Sequence, residues 1–465
     1  MQCDFDDHWH EECGVFGIYS DVEAAEKTYL GLYALQHRGQ ESAGIASTDG
    51  KTIALKKGLG LVWSVFADPQ AMPRLQGNAA IGHNRYSTRG ASDIVNAQPI
   101  CIESHLGMMA LAHNGTITNA SELRSSLQAR GAIFQTTSDS EIVLHLMAHS
   151  REQSFLDILR DALEQLQGAY SFVLLTPERL IAVRDPFGFR PLSLGSTETG
   201  HVVASETCAF DIIGAEYIRS VEPGEILEID AQGMRSYQLS PAGRQSACIF
   251  EHIYFARPDS FVFGEKVDKV RRLLGRELAR EAPCDADIVI AVPDSGNTAA
   301  LGYARESGLR YEIGLIRNHY IGRTFIAPHQ DKRKLDVRVK LNPVRGVVGG
   351  KRVVLIDDSI VRGTTMRQIV QLLRSKGAVE VHVRISSPPI GHPCYYGIDI
   401  SEKAELIANS RSTEHIREYI GADSLVYIST DAMLRTVEDG STYCTACFTG
   451  NYPAAVPAGF KKIGF

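Results

Sequence analysis

An apolar strand that ends in two adjacent aspartates constrains the fold of this chain more than any other segment. The segment VVLIDDSIVRGTT (353–365) predicts a buried strand, a short loop and the start of a helix. Residues 366–373 continue it with apolar side chains at positions i, i+3, i+4 and i+7, the spacing of one helical face. Apolar runs at 287–292 and 379–387 predict further strands. Strands that alternate with helices indicate a parallel sheet with βαβ connections.

The end of this strand has the composition of an anion-binding site. In an open α/β sheet, ligands bind beyond the carboxyl ends of the strands, where Asp357 and Asp358 are expected. Backbone N–H groups, hydroxyls and the positive end of a helix dipole would follow, provided by Arg362, Gly363, Thr364 and Thr365. Ribose hydroxyls or a hard cation such as Mg²⁺ would explain two carboxylates beside an anion. The alternative is a polar turn with a helix cap.

This segment resembles the 5-phosphoribosyl-1-pyrophosphate (PRPP) motif of type I phosphoribosyltransferases, which implies an α/β domain with helices on both faces of a parallel sheet. The resemblance implies that Asp357 and Asp358 hold the ribose hydroxyls and Mg²⁺, while 362–365 bind the 5-phosphate. PDSG resembles the pyrophosphate loop of that family, which makes Ser295 a contact to the Mg²⁺–PRPP complex. RTFIAPHQDKRK (323–334) resembles its flexible catalytic loop, a basic segment that could exclude water. A solvated basic loop is the alternative.

The first half of the chain contains a cysteine in an informative place. Cys13 begins the run CGVFG, which predicts a short buried strand, after an acidic leader of twelve residues. A free N-terminal cysteine combines a thiol nucleophile with an α-amine whose pKa is about 8 and which can move the proton. That chemistry requires removal of residues 1–12. The alternative is a cysteine buried in a strand, without chemistry.

Four other segments of this half resemble motifs of the class II glutamine amidotransferases, which use an N-terminal nucleophile. The segments are QHRGQESAGI, GHNRYST, AHNGTITN and TSDSE. The resemblance implies an α+β domain in which two sheets are sandwiched between helices. It also implies that Arg85 binds the α-carboxylate of glutamine and that Asp139 binds its α-ammonium group. The Asn114 side chain and the Gly115 N–H would form the oxyanion hole. A guanidinium suits a carboxylate, a carboxylate suits an ammonium group, and two neutral donors suit an oxyanion. Asn-Gly could otherwise form a hairpin turn. We expect a structural role for Arg38 and for the histidine before it.

Periodicity predicts further elements of the first half. Residues 23–36 have the pattern of a helix with Tyr29, Leu32 and Tyr33 on one face. Residues 139–166 are also predicted to be helical. The runs SFVLLT and LIAVRD predict two strands of a hairpin.

The chain has nine cysteines, too few for a disulfide scaffold and consistent with a reducing compartment. Four of them suggest a metal site, and two form a C-x-x-C pair: Cys248, Cys394, Cys444 and Cys447. Four thiolates suit either Zn²⁺ or a 4Fe-4S cluster, and their spacing does not choose between them. Their contexts resemble the iron–sulfur branch of the glutamine PRPP amidotransferases, which also has a cleaved leader, and this implies the cluster. We expect no special chemistry from Cys3, Cys101, Cys208 and Cys284.

The polar stretch 231–246 suggests a boundary that divides the chain into a propeptide (1–12), a glutamine amidotransferase domain (13–240) and a phosphoribosyltransferase domain with a C-terminal extension (241–465). The order of the two resemblances implies the first committed step of de novo purine synthesis. Glutamine, PRPP and water would give 5-phosphoribosylamine, glutamate and pyrophosphate, with Cys13 releasing ammonia that a channel carries to PRPP. The alternative from another class is a regulatory protein that senses PRPP without catalysis.

Charge and hydropathy limit the partners. Lys and Arg number 48 against 55 Asp and Glu, a net charge of −7, so we expect no nucleic-acid or membrane partner. The start of the chain lacks the pattern of a secretory signal, which predicts a cytoplasmic protein. The resemblance further implies a homotetramer that purine nucleotides inhibit by feedback.

Overall fold

Two antiparallel sheets form the first half of the chain. The computed structural model describes residues 13–85, 93–239, 244–318, 341–398 and 403–457. Within them, one sheet has the strand order β11-β9-β10-β1-β4-β2-β3 and the other β13-β12-β8-β7-β6-β5. The strands are β1 (Gly14–Tyr19), β2 (Ser42–Thr48), β3 (Ile53–Leu59), β4 (Ala79–Arg85), β5 (Ile100–Ser104), β6 (Gly107–Ile117), β7 (Gly168–Leu175), β8 (Arg179–Arg184), β9 (Ser193–Ser196), β10 (His201–Ala204), β11 (Glu216–Ser220), β12 (Glu225–Asp230) and β13 (Gly233–Gln238).

The two sheets pack face to face and helices cover their outer faces. Val15 and Val173 belong to the core between the sheets, whereas Phe16 belongs to the core under an outer helix, because successive side chains of a strand point to opposite faces. Ala24–Ala34 covers the seven-stranded sheet, and the helices on the other sheet include Glu141–His149 and Phe155–Glu164. The other α-helices described in this half are Ala120–Ala129 and two short ones, Val62–Val65 and Cys208–Asp211. The predicted sandwich of two sheets between helices is confirmed.

Two details of the first half differ from the predicted pattern. The helix expected over 139–166 is two helices, because Ser150 adopts an extended conformation and the Ser154 hydroxyl caps the second helix by accepting the Asp157 N–H at 3.1 Å. The helix expected over 23–36 spans Ala24–Ala34, where Leu32 is buried but Tyr33 is 51% exposed. The expected hairpin is present as β7 and β8.

The second half is built on a parallel sheet with the strand order β18-β17-β21-β22-β23. Alternate side chains of β21 face two cores, one under Val267–Glu281 and Asn297–Ser307 and the other under Thr364–Ser375 and Thr413–Ile420. The predicted α/β domain with helices on both faces is therefore confirmed. Its strands are β14 (Ala247–Cys248), β15 (Phe261–Val262), β16 (Glu265–Lys266), β17 (Ile288–Ala291), β18 (Arg310–Tyr311), β19 (Leu315–Arg317), β20 (Leu341–Pro343), β21 (Arg352–Asp357), β22 (Glu380–Ile385), β23 (Ser424–Tyr427) and β24 (Tyr443–Cys444).

The C-terminal stretch completes this half. It supplies β23, and it supplies β24, which pairs in parallel with β14. The short helices of the second half are Arg345–Val348, Ile407–Ser410, Thr430–Leu434 and Ala446–Thr449, with a π-helical turn at Glu251–Phe255. The boundary predicted at 240/241 falls outside the described residues and stays a prediction. In the described ranges, no helix combines the length and the apolar character that crossing a bilayer requires.

Candidate active sites

Cys13 immediately precedes β1, and two neighbouring side chains bond to the backbone of this part of the chain. Its carbonyl oxygen accepts a hydrogen bond from Arg38 Nε at 3.2 Å. The N–H of Val15 donates to the Ser205 hydroxyl at 3.0 Å, and the Ser205 N–H donates to the Val15 carbonyl at 3.0 Å. These contacts hold the backbone at the start of β1, where Cys13 lies. The sequence carried no signal for Ser205, because its partner is 190 positions away in the chain.

The predicted oxyanion pair lies close to the same serine. Asn114 Nδ2 is 3.5 Å from the Ser205 hydroxyl, and Asn114 is buried. Gly115 has φ +148°, and a Cβ at this position would lie 2.1 Å from the carbonyl oxygen of Ala169 on β7. The position therefore requires glycine. Both residues lie inside β6, so the alternative of a hairpin turn at Asn-Gly is wrong.

Arg85 and Asp139, the two residues predicted to bind glutamine, lie at the end of β4 and beside the end of β6. Arg85 ends β4, and its Nη1 is buried without a hydrogen-bond partner in the described structure, 3.7 Å from Glu41 Oε1. Asp139 accepts the Ile117 N–H at 2.9 Å and lies 3.6 Å from His113 Nδ1.

Burial acts to raise the pKa of Asp139, but His113 and the donated hydrogen bonds outweigh it, so the pKa lies below its ordinary value. The carboxyl is therefore an anion at neutral pH, as a site for an ammonium group requires. The Arg85 guanidinium and the half-buried Asp139 carboxylate are the residue types that suit the two charged ends of an amino acid.

A buried ion network, which we did not predict, connects the Cys13 residue to the second half of the chain. Arg38 donates to Glu206 at 2.5 Å and, through both terminal nitrogens, to Glu251 at 2.7 and 2.9 Å. Arg190 donates to Glu251 at 2.5 Å. Each of these four side chains is at most 1% exposed. The expected structural role of Arg38 is thus confirmed and includes a direct contact to Cys13.

In the second half, the two predicted acids lie at the carboxyl end of the central strand. Asp357 ends β21 and accepts a hydrogen bond from the Ser295 hydroxyl at 3.2 Å and from the Asp358 N–H at 2.9 Å. Burial and the adjacent negative charge of Asp358 raise the pKa of Asp357 well above its ordinary value. Asp358 also contacts the Ser359 hydroxyl. The structure thus brings Ser295, Asp357 and Asp358 together, and a cation placed there would relieve the repulsion between the carboxylates.

The predicted phosphate turn follows directly. Gly363 has φ +76° at the N-cap position, and the helix begins at Thr364. Thr364 and Thr365 therefore occupy the first turn, where N–H groups and the helix dipole attract anions. The Arg362 guanidinium forms an ion pair with Glu405 at 2.8 Å, and the role of Arg362 in the phosphate turn stays a prediction. The predicted flexible loop (323–334) and the leader (1–12) lie outside the described residues.

The four predicted cluster cysteines converge between the two halves. Cys248 and Cys444 are direct partners of the β14–β24 pair. Cys394 packs against the apolar clusters that contain Cys447 and Phe189, the latter from the first half. All are free thiols, and burial raises the pKa values of Cys248 and Cys444 to about 12. In the parts of the chain that are described, no three His, Cys, Asp or Glu side chains meet the geometry of a site for one metal ion.

The chain is similar to several known proteins over most of its length. A family model described as a glutamine amidotransferase domain matches residues 83–211. The amidophosphoribosyltransferase of Bacillus subtilis (strain 168) is 50% identical over 453 residues, which cover 96% of this chain and 95% of that protein. Amidophosphoribosyltransferase 2, chloroplastic, of Arabidopsis thaliana is 52% identical over 453 residues, 97% of this chain and 81% of its own length.

Two solved structures match over almost the whole chain. A structure of the allosteric regulatory enzyme of purine biosynthesis has a TM-score of 0.93 at 50% identity and covers 96% of this chain and 97% of its own. Glutamine PRPP amidotransferase from B. subtilis, complexed with ADP and GMP, has a TM-score of 0.92 at 50% identity, with coverages of 96% and 99%.

Both halves of the molecule thus define a class, in which a glutamine amidotransferase domain is joined to a phosphoribosyltransferase domain. The relatives identify one family within that class, because their sequence identity to this chain extends across both domains. The chain belongs to the amidophosphoribosyltransferase family, and it is an enzyme. A regulator that senses PRPP without catalysis is not favoured.

Proposed function

We propose that the chain converts glutamine, PRPP and water into 5-phosphoribosylamine, glutamate and pyrophosphate, the first step of purine synthesis. One observation carries this proposal. The single chain combines a cysteine whose carbonyl accepts from Arg38 and residue types that suit glutamine with an acidic strand end and a glycine-capped helix that suit PRPP. Either site alone would support a glutaminase or a phosphoribosyl-binding protein, but the combination supports transfer of nitrogen from one substrate to the other.

In the first half-reaction, the Cys13 thiolate attacks the side-chain amide carbon of glutamine. The Asn114 amide and the Gly115 N–H donate to the developing oxyanion, while Arg85 and Asp139 hold the α-carboxylate and α-ammonium. Collapse of the tetrahedral species breaks the C–N bond, releases ammonia and leaves a glutamyl thioester, which water hydrolyses to glutamate. After removal of the leader, the α-amine of Cys13 moves the proton.

In the second half-reaction, the nitrogen lone pair of ammonia attacks C1 of PRPP and the C1–O bond to pyrophosphate breaks. The first turn at Thr364 and Thr365 binds the 5-phosphate, and Asp357 and Asp358 hold the ribose hydroxyls. Ammonia that entered bulk water would be protonated and lost, so we propose a shielded passage between the two sites, closed by residues 323–334 when PRPP binds.

Two inorganic groups fit residues of this chain. Mg²⁺ would be held by Asp357, Asp358 and oxygens of PRPP, with Ser295 in support, and would supply positive charge to the leaving pyrophosphate. The four gathered thiols provide the donor set of a 4Fe-4S cluster, which would be structural.

The cluster assignment predicts the effect of removing one ligand. We expect Cys447→Ser to lose most of its iron, acid-labile sulfide and broad visible absorbance after anaerobic purification, because the cluster then lacks one of four thiolates. Cys284→Ser is the matched control, since Cys284 lies in the same half but outside the group. Equal iron and sulfide contents in both variants would contradict the assignment, and stoichiometric zinc in the wild type would replace it.

The remaining partners are also proposals. Purine nucleotides share the ribose and phosphate groups of PRPP, so we propose that they inhibit by occupying the phosphate turn, a view supported by the relative whose structure holds ADP and GMP. We further propose a homotetramer in the reducing cytoplasm, in keeping with the eight free cysteines of the described residues.

A coupled assay tests the proposed function directly. Anaerobically purified protein is incubated with Mg²⁺ and glutamine, with and without PRPP, and glutamate and pyrophosphate are measured together. We expect equal release of both products, strongly dependent on PRPP, because one ammonia molecule links the two half-reactions. Glutamate without PRPP-dependent pyrophosphate would contradict the second half-reaction. Pyrophosphate only when ammonia is supplied would indicate that Cys13 is not active, as an uncleaved leader would cause.

A further inference from the structure

We propose that Glu251, which belongs to the second half of the chain, is a positioning residue for the nucleophile Cys13 and acts through Arg38. This inference rests on the proposed function, because it assigns Cys13 the role of nucleophile. It adds that glutamine chemistry in the first domain depends on a carboxylate supplied by the second domain.

The contacts of Arg38 carry the argument. Its Nε donates to the Cys13 carbonyl at 3.2 Å, so the guanidinium directly contacts the backbone of the residue whose thiol reacts. Its two terminal nitrogens donate to both oxygens of Glu251 at 2.7 and 2.9 Å. A planar guanidinium held by a bidentate carboxylate has little freedom to rotate. The orientation of Nε, and hence its contact with Cys13, is therefore set largely by Glu251.

Charge balance makes this dependence strong. The network buries two guanidinium groups, Arg38 and Arg190, against two carboxylates, Glu206 and Glu251, each at most 1% exposed. Removal of the Glu251 charge takes away the carboxylate that Arg38 and Arg190 share. Arg38 would then be drawn toward Glu206, which it already contacts at 2.5 Å, and Nε would move relative to Cys13.

Glu251 is in turn fixed by the phosphoribosyltransferase domain. It opens the π-helical turn Glu251–Phe255, whose geometry is rare and often found at functional sites. Arg271, on the helix Val267–Glu281, donates to the carbonyls of His252 and Tyr254 at 2.7 and 2.8 Å. The negative charge of Asp358 also acts on Arg271. The turn that begins at Glu251 is thus held by hydrogen bonds from a helix of the second half of the chain.

A variant that removes the charge and keeps the shape tests this role. Glu251→Gln is compared with Glu265→Gln, a matched control in the same domain. Glu265 is 6% exposed, binds Lys269 at 3.2 Å and has no contact to the Cys13 network. For each protein we would measure kcat and KM with glutamine, kcat with ammonia, and the rate at which a diazoketone analogue of glutamine alkylates Cys13. Mass spectrometry of the intact protein gives the fraction of chains that start at Cys13, and each rate is divided by that fraction. A variant that keeps its leader is expressed again with residues 2–12 deleted.

We expect Glu251→Gln to lower kcat with glutamine and the alkylation rate by about 10- to 100-fold, the effect of a small misplacement of a reacting group. KM for glutamine and kcat with ammonia should stay within about twofold, since Arg85, Asp139 and the PRPP site are unchanged. Glu265→Gln should match the wild type. Arg38→Lys should give a similar defect, and the double variant should be less impaired than the product of the two single effects.

Two results would overturn the inference. One is a Glu251→Gln enzyme with wild-type kcat for glutamine and wild-type alkylation. The other is an equal loss of glutamine-dependent and ammonia-dependent rates with a lowered melting temperature, because that is general damage to the fold. Failure of the proposed function is distinct, since the wild type itself would then neither couple glutamine to PRPP nor be alkylated at Cys13.

Discussion

Replacement of Cys13 by alanine is expected to abolish the use of glutamine and to spare the use of ammonia. The thiol is the attacking atom, and removal of a nucleophile costs at least about 10⁴-fold in kcat in enzymes where nearby groups remain in place. The two acids of the PRPP site are more than 340 positions away in the chain, so synthesis of phosphoribosylamine from ammonia should remain close to the wild-type rate. Pyrophosphate release with each nitrogen donor measures the two activities separately.

Cys101→Ala is the matched control for this experiment. Cys101 is a half-buried thiol on β5 of the same sandwich, and burial raises its pKa, so it should stay protonated and unreactive. We expect this variant to keep both activities. Full glutamine-dependent activity in Cys13→Ala would show that the nucleophile lies elsewhere, and loss of both activities would indicate that Cys13 supports the fold rather than the chemistry.

Replacement of Asp358 by asparagine should impair the enzyme with either nitrogen donor. Asp358 is buried beside Asp357 at the end of β21, and the pair needs both charges to hold a cation and the ribose hydroxyls of PRPP. Mutation of a residue that only supports a metal ligand typically lowers metal affinity or activity about 10- to 100-fold. Because Asp358 is proposed to hold the cation and the ribose directly, we expect kcat/KM for PRPP to fall at least about 10²-fold. Steady-state rates at varied PRPP and Mg²⁺, with glutamine and then with ammonia, measure it.

An aspartate at the opposite end of the same sheet provides the control. Asp287 precedes β17 and forms an ion pair with Arg352 at 3.2 Å, away from the strand ends that carry the site. Asp287→Asn should therefore leave the kinetics with PRPP unchanged. Wild-type kinetics in Asp358→Asn would contradict the assignment of the PRPP site. A defect confined to glutamine would place the effect of Asp358 on the first domain instead.

Local patterns were sufficient to predict most elements of the fold. The strand before Asp357 and the helix after Gly363 could be predicted because their apolar spacing reports burial directly, and the four apolar positions of that helix are indeed buried. The single helix expected over 139–166 was wrong because an extended serine and a second N-cap interrupt an apolar pattern that otherwise continues.

The candidate sites were predictable for a different reason. Arg85, Asn114 and Asp139 stand in short motifs whose chemistry can be recognised from residue type, and the structure places them in one region. Glu251 and Ser205 could not be predicted, because an isolated Glu or Ser is common and their partners are 213 and 190 positions away. Contacts over such separations depend on how distant strands pair within a domain, as for Ser205, or on how two domains pack, as for Glu251, and no local pattern records either.

The shared ion network has a consequence for the order in which the protein is made. Translation completes the first domain before the segment that carries Glu251 leaves the ribosome. Until then, Arg38 can contact Glu206 of its own domain but lacks Glu251, the carboxylate that orients it toward Cys13. A nascent or truncated chain should therefore fold its glutaminase sandwich without gaining full glutaminase activity. The cell would be protected from wasteful glutamine hydrolysis until the domain that consumes the ammonia has folded.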